Sequence, residues 1–228
     1  MARQVKSRYF PPADAADEHG IVQVGGALSI ERLLDAYRHG IFPWPMFGDG
    51  EPMLWWSPDP RGIFEFDQFH VSRRLERTCR SGKFRVTSDQ DIAGVLHGCA
   101  TADDRRGGTW LTESMIHYYQ QLNALGVVHS VEVWQGDDLV GGTYGVTMGG
   151  LFAGESMFHR TRDASKVALA HLVRHLQRQG YRLFDIQQLN PHTESLGGIE
   201  IPRVEFLQRL RSVIDLPVLF GTINGVWT

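Results

Sequence analysis

Three side chains in the carboxy-terminal half of the sequence have types and settings that could do chemistry: Asp185, Gln187 and Glu155. Asp185 and Gln187 stand in the run YRLFDIQQL, interleaved with Phe184 and Ile186. If that run is a strand, alternation puts the acid and the amide on one face, roughly 7 Å apart. Both are costly among apolar neighbours unless they are partnered, and a hydrogen-bonded pair at a sheet edge would satisfy that need. Glu155 lies in LFAGESMF, among Phe152, Met157 and Phe158. Two strands that each carry a carboxylate amid apolar residues point to a shared acidic pocket. Such a pocket suits a cation, for example an amine or a basic side chain.

Two further groupings bear on a ligand. Arg73, Arg74, Arg77, Arg80, Lys83 and Arg85 face one acid in the same stretch, Glu76. Arg73, Arg77 and Arg80 fall at i, i+4 and i+7, so they share a helix face and make a stripe able to hold phosphates. Trp44, Trp55, Trp56 and Trp110 lie in Gly/Pro-rich backbone, outside the periodic core stretches. They fit either interface packing or a platform on which a base stacks.

These residues need elements to position them. Residues 41–61 hold five prolines among the tryptophans, so the segment is extended or turning and packs against something. Ser29 caps a helix that Gly40 ends, Ser72 one that closes near Gly82, and Thr112 one that runs to Gly126. Three strand-like runs follow, HSVEVW, LVGGTYGV and LFAGESMF, separated by turn residues. The clearest helix comes next, from about Asp163 to Gln179, with Leu169, Leu172, Val173 and Leu176 on one face. The strand bearing Asp185 and Gln187 then returns to the sheet. The expected fold is α+β, with a small amino-terminal unit over 1–57 and a larger one over 58–228. An antiparallel meander, a helix and a returning strand also make the core of GCN5-like N-acetyltransferases, which acylate amines.

Composition narrows the function classes. The 228 residues are 42% hydrophobic and 21% charged, with a formal net charge of -3. That balance opposes wholesale nucleic-acid coating but leaves room for a local basic patch. Cys79 and Cys99 alone make neither a disulfide framework nor a four-ligand zinc site, which fits a reduced cytoplasmic setting. No run approaches the ~20 apolar residues that span a bilayer, so no membrane partner is expected. There is no phosphate loop, no dinucleotide fingerprint and no H-E-x-x-H, so no cofactor and no metal are expected. The Q/R-x-x-G-x-G/A turn that holds acyl-CoA is missing around RTRDASKVA. Amine acylation from another activated donor fits that absence. A CoA-dependent or cell-wall-building acyltransferase and a non-catalytic RNA-binding protein are the rival readings.

The stretches VGGALSIERLLDAYRHGIFPW, LWWSPDPR, GTWLTESM, LFAGESMF, DASKVAL and FDIQQLNPHTESLGGIEIPR resemble the bacterial leucyl/phenylalanyl-tRNA–protein transferases. The resemblance runs from about residue 21 to residue 206. It implies transfer of leucine or phenylalanine, with methionine as a further donor, from aminoacyl-tRNA to proteins beginning with Arg or Lys, which marks them for degradation. By motif it assigns Asp185, Gln187 and Glu155 to catalysis. It assigns Tyr37, Trp44, Trp110, Tyr119, Phe152, Leu172 and Leu176 to the aminoacyl-adenosine pocket. Thr143, Leu172 and Leu176 stand where the family has bulkier Met or Phe. The stripe of Arg73, Arg74, Arg77, Arg80 and Lys83 would grip the tRNA through phosphates. Two versions of the chemistry are open: Gln187, polarised by Asp185, positions the acceptor amine, or Asp185 is the direct base.

Overall fold

The computed structural model describes residues 6–45, 50–102, 110–223, 225 and 227. Two sheets organise it. A small antiparallel sheet of order β1-β3-β2 is built from Ile21–Val24, Phe42–Pro43 and Leu54–Trp56. A seven-stranded sheet has the order β10-β4-β9-β8-β7-β6-β5. Its strands are β4 (Arg61–Phe64), β5 (Arg85–Ser88), β6 (Val128–Gln135), β7 (Asp138–Met148), β8 (Leu151–His159), β9 (Leu183–Gln187) and β10 (Gly198–Ile201). The expected meander is β6-β7-β8, and β9 returns parallel to β8 after the long helix.

Helix α1 (Ile30–Arg38) begins where the Ser29 hydroxyl accepts from the backbone of Arg32, and α2 (Arg73–Arg80) where Ser72 accepts from Leu75. Asp91 caps α3 (Ile92–Ala100) and Thr112 caps α4 (Glu113–Ala124) in the same way. Each such cap stabilises its helix by about 1 kcal/mol. Helix α5 (Ala164–Gln179) is buried along most of its length, and Gly180 ends it in the left-handed region that glycine adopts without strain. A one-turn α6 (Pro191–Glu194) and α7 (Arg203–Val213) complete the chain's helices among the described residues.

The large sheet separates two apolar layers. Helices α1, α3, α4 and α7 cover one face with Leu33, Tyr37, Leu96, Met115, Tyr119, Phe206 and Leu210. Helix α5, with α2 against it, covers the other face through Val167, Leu172 and Leu176. The tail continues that second layer, where Phe220 stacks on His129 at 4.1 Å and Ile223 is buried. The boundary at 57/58 falls between β3 and β4, and the first layer takes side chains from both sides of it, Trp55 as well as Tyr144.

Candidate active site

The parallel pairing of β8 with β9 is short: Leu151 with Leu183, Phe152 with Phe184, Ala153 with Asp185. Beyond that pair the strands part, and each carries an irregularity. On β8, Gly154 pairs with Gly145 and Ser156 with Tyr144, which leaves Glu155 without a partner across the ladder. On β9, Asp185 pairs with Ile63 and Gln187 with Gly62, which leaves Ile186 unpaired. Bulges of this kind bend a strand and re-aim side chains. Here they turn Glu155 and Gln187 toward each other across the opening.

Gln187 donates from Nε2 to Glu155 Oε1 at 3.2 Å, and Tyr119 donates its hydroxyl to Glu155 Oε2 at 3.0 Å. The Tyr37 hydroxyl lies 2.9 Å from that of Tyr119. Burial pushes the Glu155 carboxyl up to about 7, and the neighbouring Asp185 adds to the rise. Hydrogen bonds from Tyr37 and Tyr119 and the charge of Arg61 act the other way. The same burial and the Glu155 charge raise both tyrosine hydroxyls well above their ordinary value, so they stay protonated donors. Tyr119→Phe removes one of the donors that hold Glu155 down. Its expected effect is an upward displacement of the carboxyl's titration, read as a higher midpoint in the pH dependence of turnover.

Asp185 is differently placed. It is 2% exposed and accepts from Arg61 Nε at 2.8 Å and Arg61 Nη2 at 2.6 Å. The third arm of that guanidinium, Nη1, donates to the carbonyl of Gly40 at 3.1 Å. Arg61 is 1% exposed and lies between the rings of Phe206 and Phe42, 4.3 and 4.9 Å from their centroids. Asp185 Oδ1 also accepts from the backbone N–H of Gln187 at 2.9 Å. Gln187 itself has a φ of 58°, a left-handed conformation that costs a non-glycine residue energy unless its surroundings hold it. The plain alternation read from the sequence therefore fails at this residue. The two side chains do not stand in parallel: Gln187 reaches Glu155, while its backbone turns back to Asp185.

A cavity of about 430 Å³ opens over this cluster. Phe42, Pro43, Trp44, Trp110, Glu155, Ile186, Gln187, Gln188, Leu189 and Asn190 line it. The rings of Trp44 and Trp110, both in its lining, stand 6.4 Å apart and are inclined by 52°. Of the residues singled out in the sequence, Trp44, Trp110, Glu155 and Gln187 form its wall, and Tyr37 and Tyr119 stand behind Glu155. Phe152, Leu172 and Leu176 do not line it. They are buried in the second apolar layer, where packing against α5 holds them. Ile186 belongs to both places, since it lines the cavity and packs on that layer. The stripe lies on the outer face of α2: Arg73, Arg74, Arg77, Arg80 and Lys83 are all exposed. Arg80 is engaged by Glu76 at 2.8 Å and Arg74 by Asp163 at 3.2 Å.

The residue that the sequence reading passed over is Arg61. It ends the quoted motif LWWSPDPR, and a lone arginine after two prolines reads as part of a surface turn. The available signal was the apolar run that follows it, GIFEF, which places a cation at the head of a buried strand.

Comparison with known proteins fits this arrangement. The family model for the leucyl/phenylalanyl-tRNA protein transferase matches residues 63–211, and that for its N-terminal domain matches residues 26–59. The chain belongs to this family. A leucyl/phenylalanyl-tRNA–protein transferase of Solidesulfovibrio magneticus is 52% identical, over 93% of this chain and 85% of the relative. That of Alkalilimnicola ehrlichii is 49% identical, over 91% and 81%. For this transferase, similar solved structures include L-PGS from Bacillus licheniformis, with a TM-score of 0.42 and 13% identity over 71% of this chain and 51% of that one. A GCN5-related N-acetyltransferase-like protein from Streptococcus suis gives 0.36 and 12% over 63% and 58%. Both likenesses are too loose to bear on what the transferase binds. No helix among the described residues is long and apolar enough to cross a membrane.

Proposed function

We propose that the transferase takes leucine or phenylalanine from its tRNA and joins it to the α-amine of a protein beginning with Arg or Lys, in the cytoplasm, marking that protein for degradation. The observation that carries this reading is one cavity whose lining joins the rings of Trp44 and Trp110 to a hydrogen-bonded Glu155–Gln187 pair. Trp44 and Trp110 supply faces for the terminal adenine, since every base has a stacking surface. The aminoacyl side chain packs toward Ile186, and Phe152, Leu172 and Leu176 behind it limit how deep it can go.

The amine nitrogen attacks the carbonyl carbon of the aminoacyl ester. The peptide bond forms, the bond from that carbon to the ribose oxygen breaks, and the amine's surplus proton ends on the ribose hydroxyl. The ester is already activated, so the step calls for neither ATP nor metal. What it needs is orientation and a modest proton acceptor. A carboxyl titrating near 7 at the cavity wall meets the second need, and its charge also favours a basic acceptor. Gln187 orients the amine. Asp185, with both oxygens taken by Arg61, acts by holding Gln187 in place, which favours positioning over direct proton abstraction.

The test is a transfer assay with radiolabelled leucyl-tRNA and two acceptor proteins, one beginning with arginine and one with glycine. Label on the arginine protein alone is the expected result. No label on either, with the enzyme folded and the tRNA bound, overturns the reading in favour of a non-catalytic RNA-binding protein.

A further inference from the structure

The chain turns tightly where it leaves β9. Gln188 donates its backbone N–H to the Ile186 carbonyl at 2.6 Å, which closes a three-residue turn centred on Gln187. With the central φ at 58°, this is the rare and strained form of such a turn. Asp185 holds it from one side by accepting the Gln187 N–H. A second constraint comes from the neighbouring strand, where Gly62 of β4 is the residue paired with Gln187. Alternation puts the bare face of Gly62 on the same side as Phe64, which belongs to the second apolar layer, and opposite Arg61. The turned chain occupies that space. A Cβ on Gly62 would stand 2.8 Å from the carbonyl carbon of Gln188 and 2.9 Å from the nitrogen of Leu189. Both are backbone atoms, so no side-chain rotation relieves the clash. The close approach continues at Gly198 of β10, where a Cβ would lie 2.8 Å from Leu189 Cδ1 and 2.9 Å from the Thr193 carbonyl oxygen.

We propose that Gly62 is a positioning residue for the transfer reaction: by admitting the Gln188–Leu189 backbone against β4, it holds the strained turn that aims the Gln187 amide at Glu155. The inference rests on the transferase reading given above. A side chain at position 62 pushes residues 188–189 off the strand and releases Gln187 to ordinary extended backbone. There its amide follows the alternation of the strand and no longer reaches across to Glu155. The rings of Trp44 and Trp110 come from other segments, so the reaction suffers more than the binding of the donor.

The experiment measures kcat and KM for leucyl-tRNA, with an acceptor protein beginning with arginine, in wild type, Gly62→Ala and Gly141→Ala. The last is a control in β7, where a new Cβ meets Ala164 Cβ at 2.6 Å. Gly62→Ala is expected to lower kcat about 10²-fold, the usual cost of misplacing a reacting group by about 1 Å. KM for leucyl-tRNA should stay within about threefold. Gly141→Ala should melt earlier yet keep its kcat. Melting temperatures of Gln187→Gly and Gln187→Ala test the strain without any activity. Both lack the amide, but only glycine is free at this φ, so it should melt about 2–4 °C above alanine, the reverse of the ordinary order in a strand. In the Gly62→Ala background that advantage should vanish. Full kcat in folded Gly62→Ala, an equal kcat loss in Gly141→Ala, or alanine as stable as glycine at 187 overturns the proposal. If Gly62→Ala does not fold, Gln188→Pro takes its place, since proline lacks the N–H that closes the turn and drives the preceding residue to extended backbone. Undiminished kcat there overturns the proposal as well. A wild type inactive on leucyl-tRNA overturns the transferase reading instead.

Discussion

Arg61→Met is expected to lower the melting temperature by about 6–20 °C and to reduce transfer beyond the loss of folded protein. Removing one partner of a buried ion pair leaves a charge without compensation, at a cost of about 3–5 kcal/mol. In a chain of this size each kcal/mol moves the midpoint by about 2–4 °C. The pair here is fully enclosed, and Arg61 also ties Gly40 at the end of α1, the helix that bears Tyr37, to the strand that bears Gln187. Losing it loosens both sides of the cavity floor together. Adding Asp185→Asn to Arg61→Met removes the stranded charge and should recover much of the melting temperature without recovering the rate. Differential scanning fluorimetry alongside the transfer assay separates the two effects. An unchanged melting temperature in the single variant would show that the pair does not carry the load assigned to it.

Glu155→Gln sets stability against activity. The carboxyl's ordinary value is 4.5 and its folded value about 7. Between those two values the folded chain keeps a proton that the unfolded chain has given up. The native state therefore loses stability as pH rises through this window, and the full penalty applies above 7. Glutamine carries no such penalty. The variant should be more stable than the parent at pH 8, by about 1–3 kcal/mol, and indistinguishable from it below pH 4. Its rate should fall by about 10²–10⁴, the usual worth of a positioned proton acceptor. In the wild type, kcat/KM should rise through pH 7. In the variant that limb disappears, leaving the rise near 8 that belongs to the acceptor amine itself. A variant that keeps the limb at 7 assigns the proton to another group.

Much of this site was legible in the sequence because its polar residues sit where an apolar strand would not tolerate them. Asp185 and Glu155 are conspicuous for that reason, and the helices carrying Tyr37 and Tyr119 announce themselves through Ser29 and Thr112. Three features were not legible. Gln187 departs from strand geometry because Asp185 captures its backbone N–H, a contact that residue spacing does not encode. Arg61 meets its partner 124 residues away, and the apolar run GIFEF after it signals burial without naming that partner. Helix α3 escapes notice because IAGVLHGCA has two glycines and almost no polar face, the composition of a buried turn as much as of a helix. Gly98 is there because the Phe158 ring lies where its Cβ would be, 2.6 Å away.

The order in which the ribosome delivers the partners follows from the same Arg61–Asp185 clasp. Arg61 leaves the ribosome 124 residues before Asp185, and Tyr37 leaves 82 residues before Tyr119. At ordinary elongation speeds the guanidinium waits about 6–25 s for its carboxylate. Until then it must stay hydrated, because an unpaired cation cannot enter the apolar layer between Phe42 and Phe206. Strand β4 thus has no favourable place in the large sheet while the chain is incomplete. The Arg61–Asp185 clasp closes only after Asp185 has been made, so a polypeptide that stops short of β9 carries no assembled centre with which to modify other proteins.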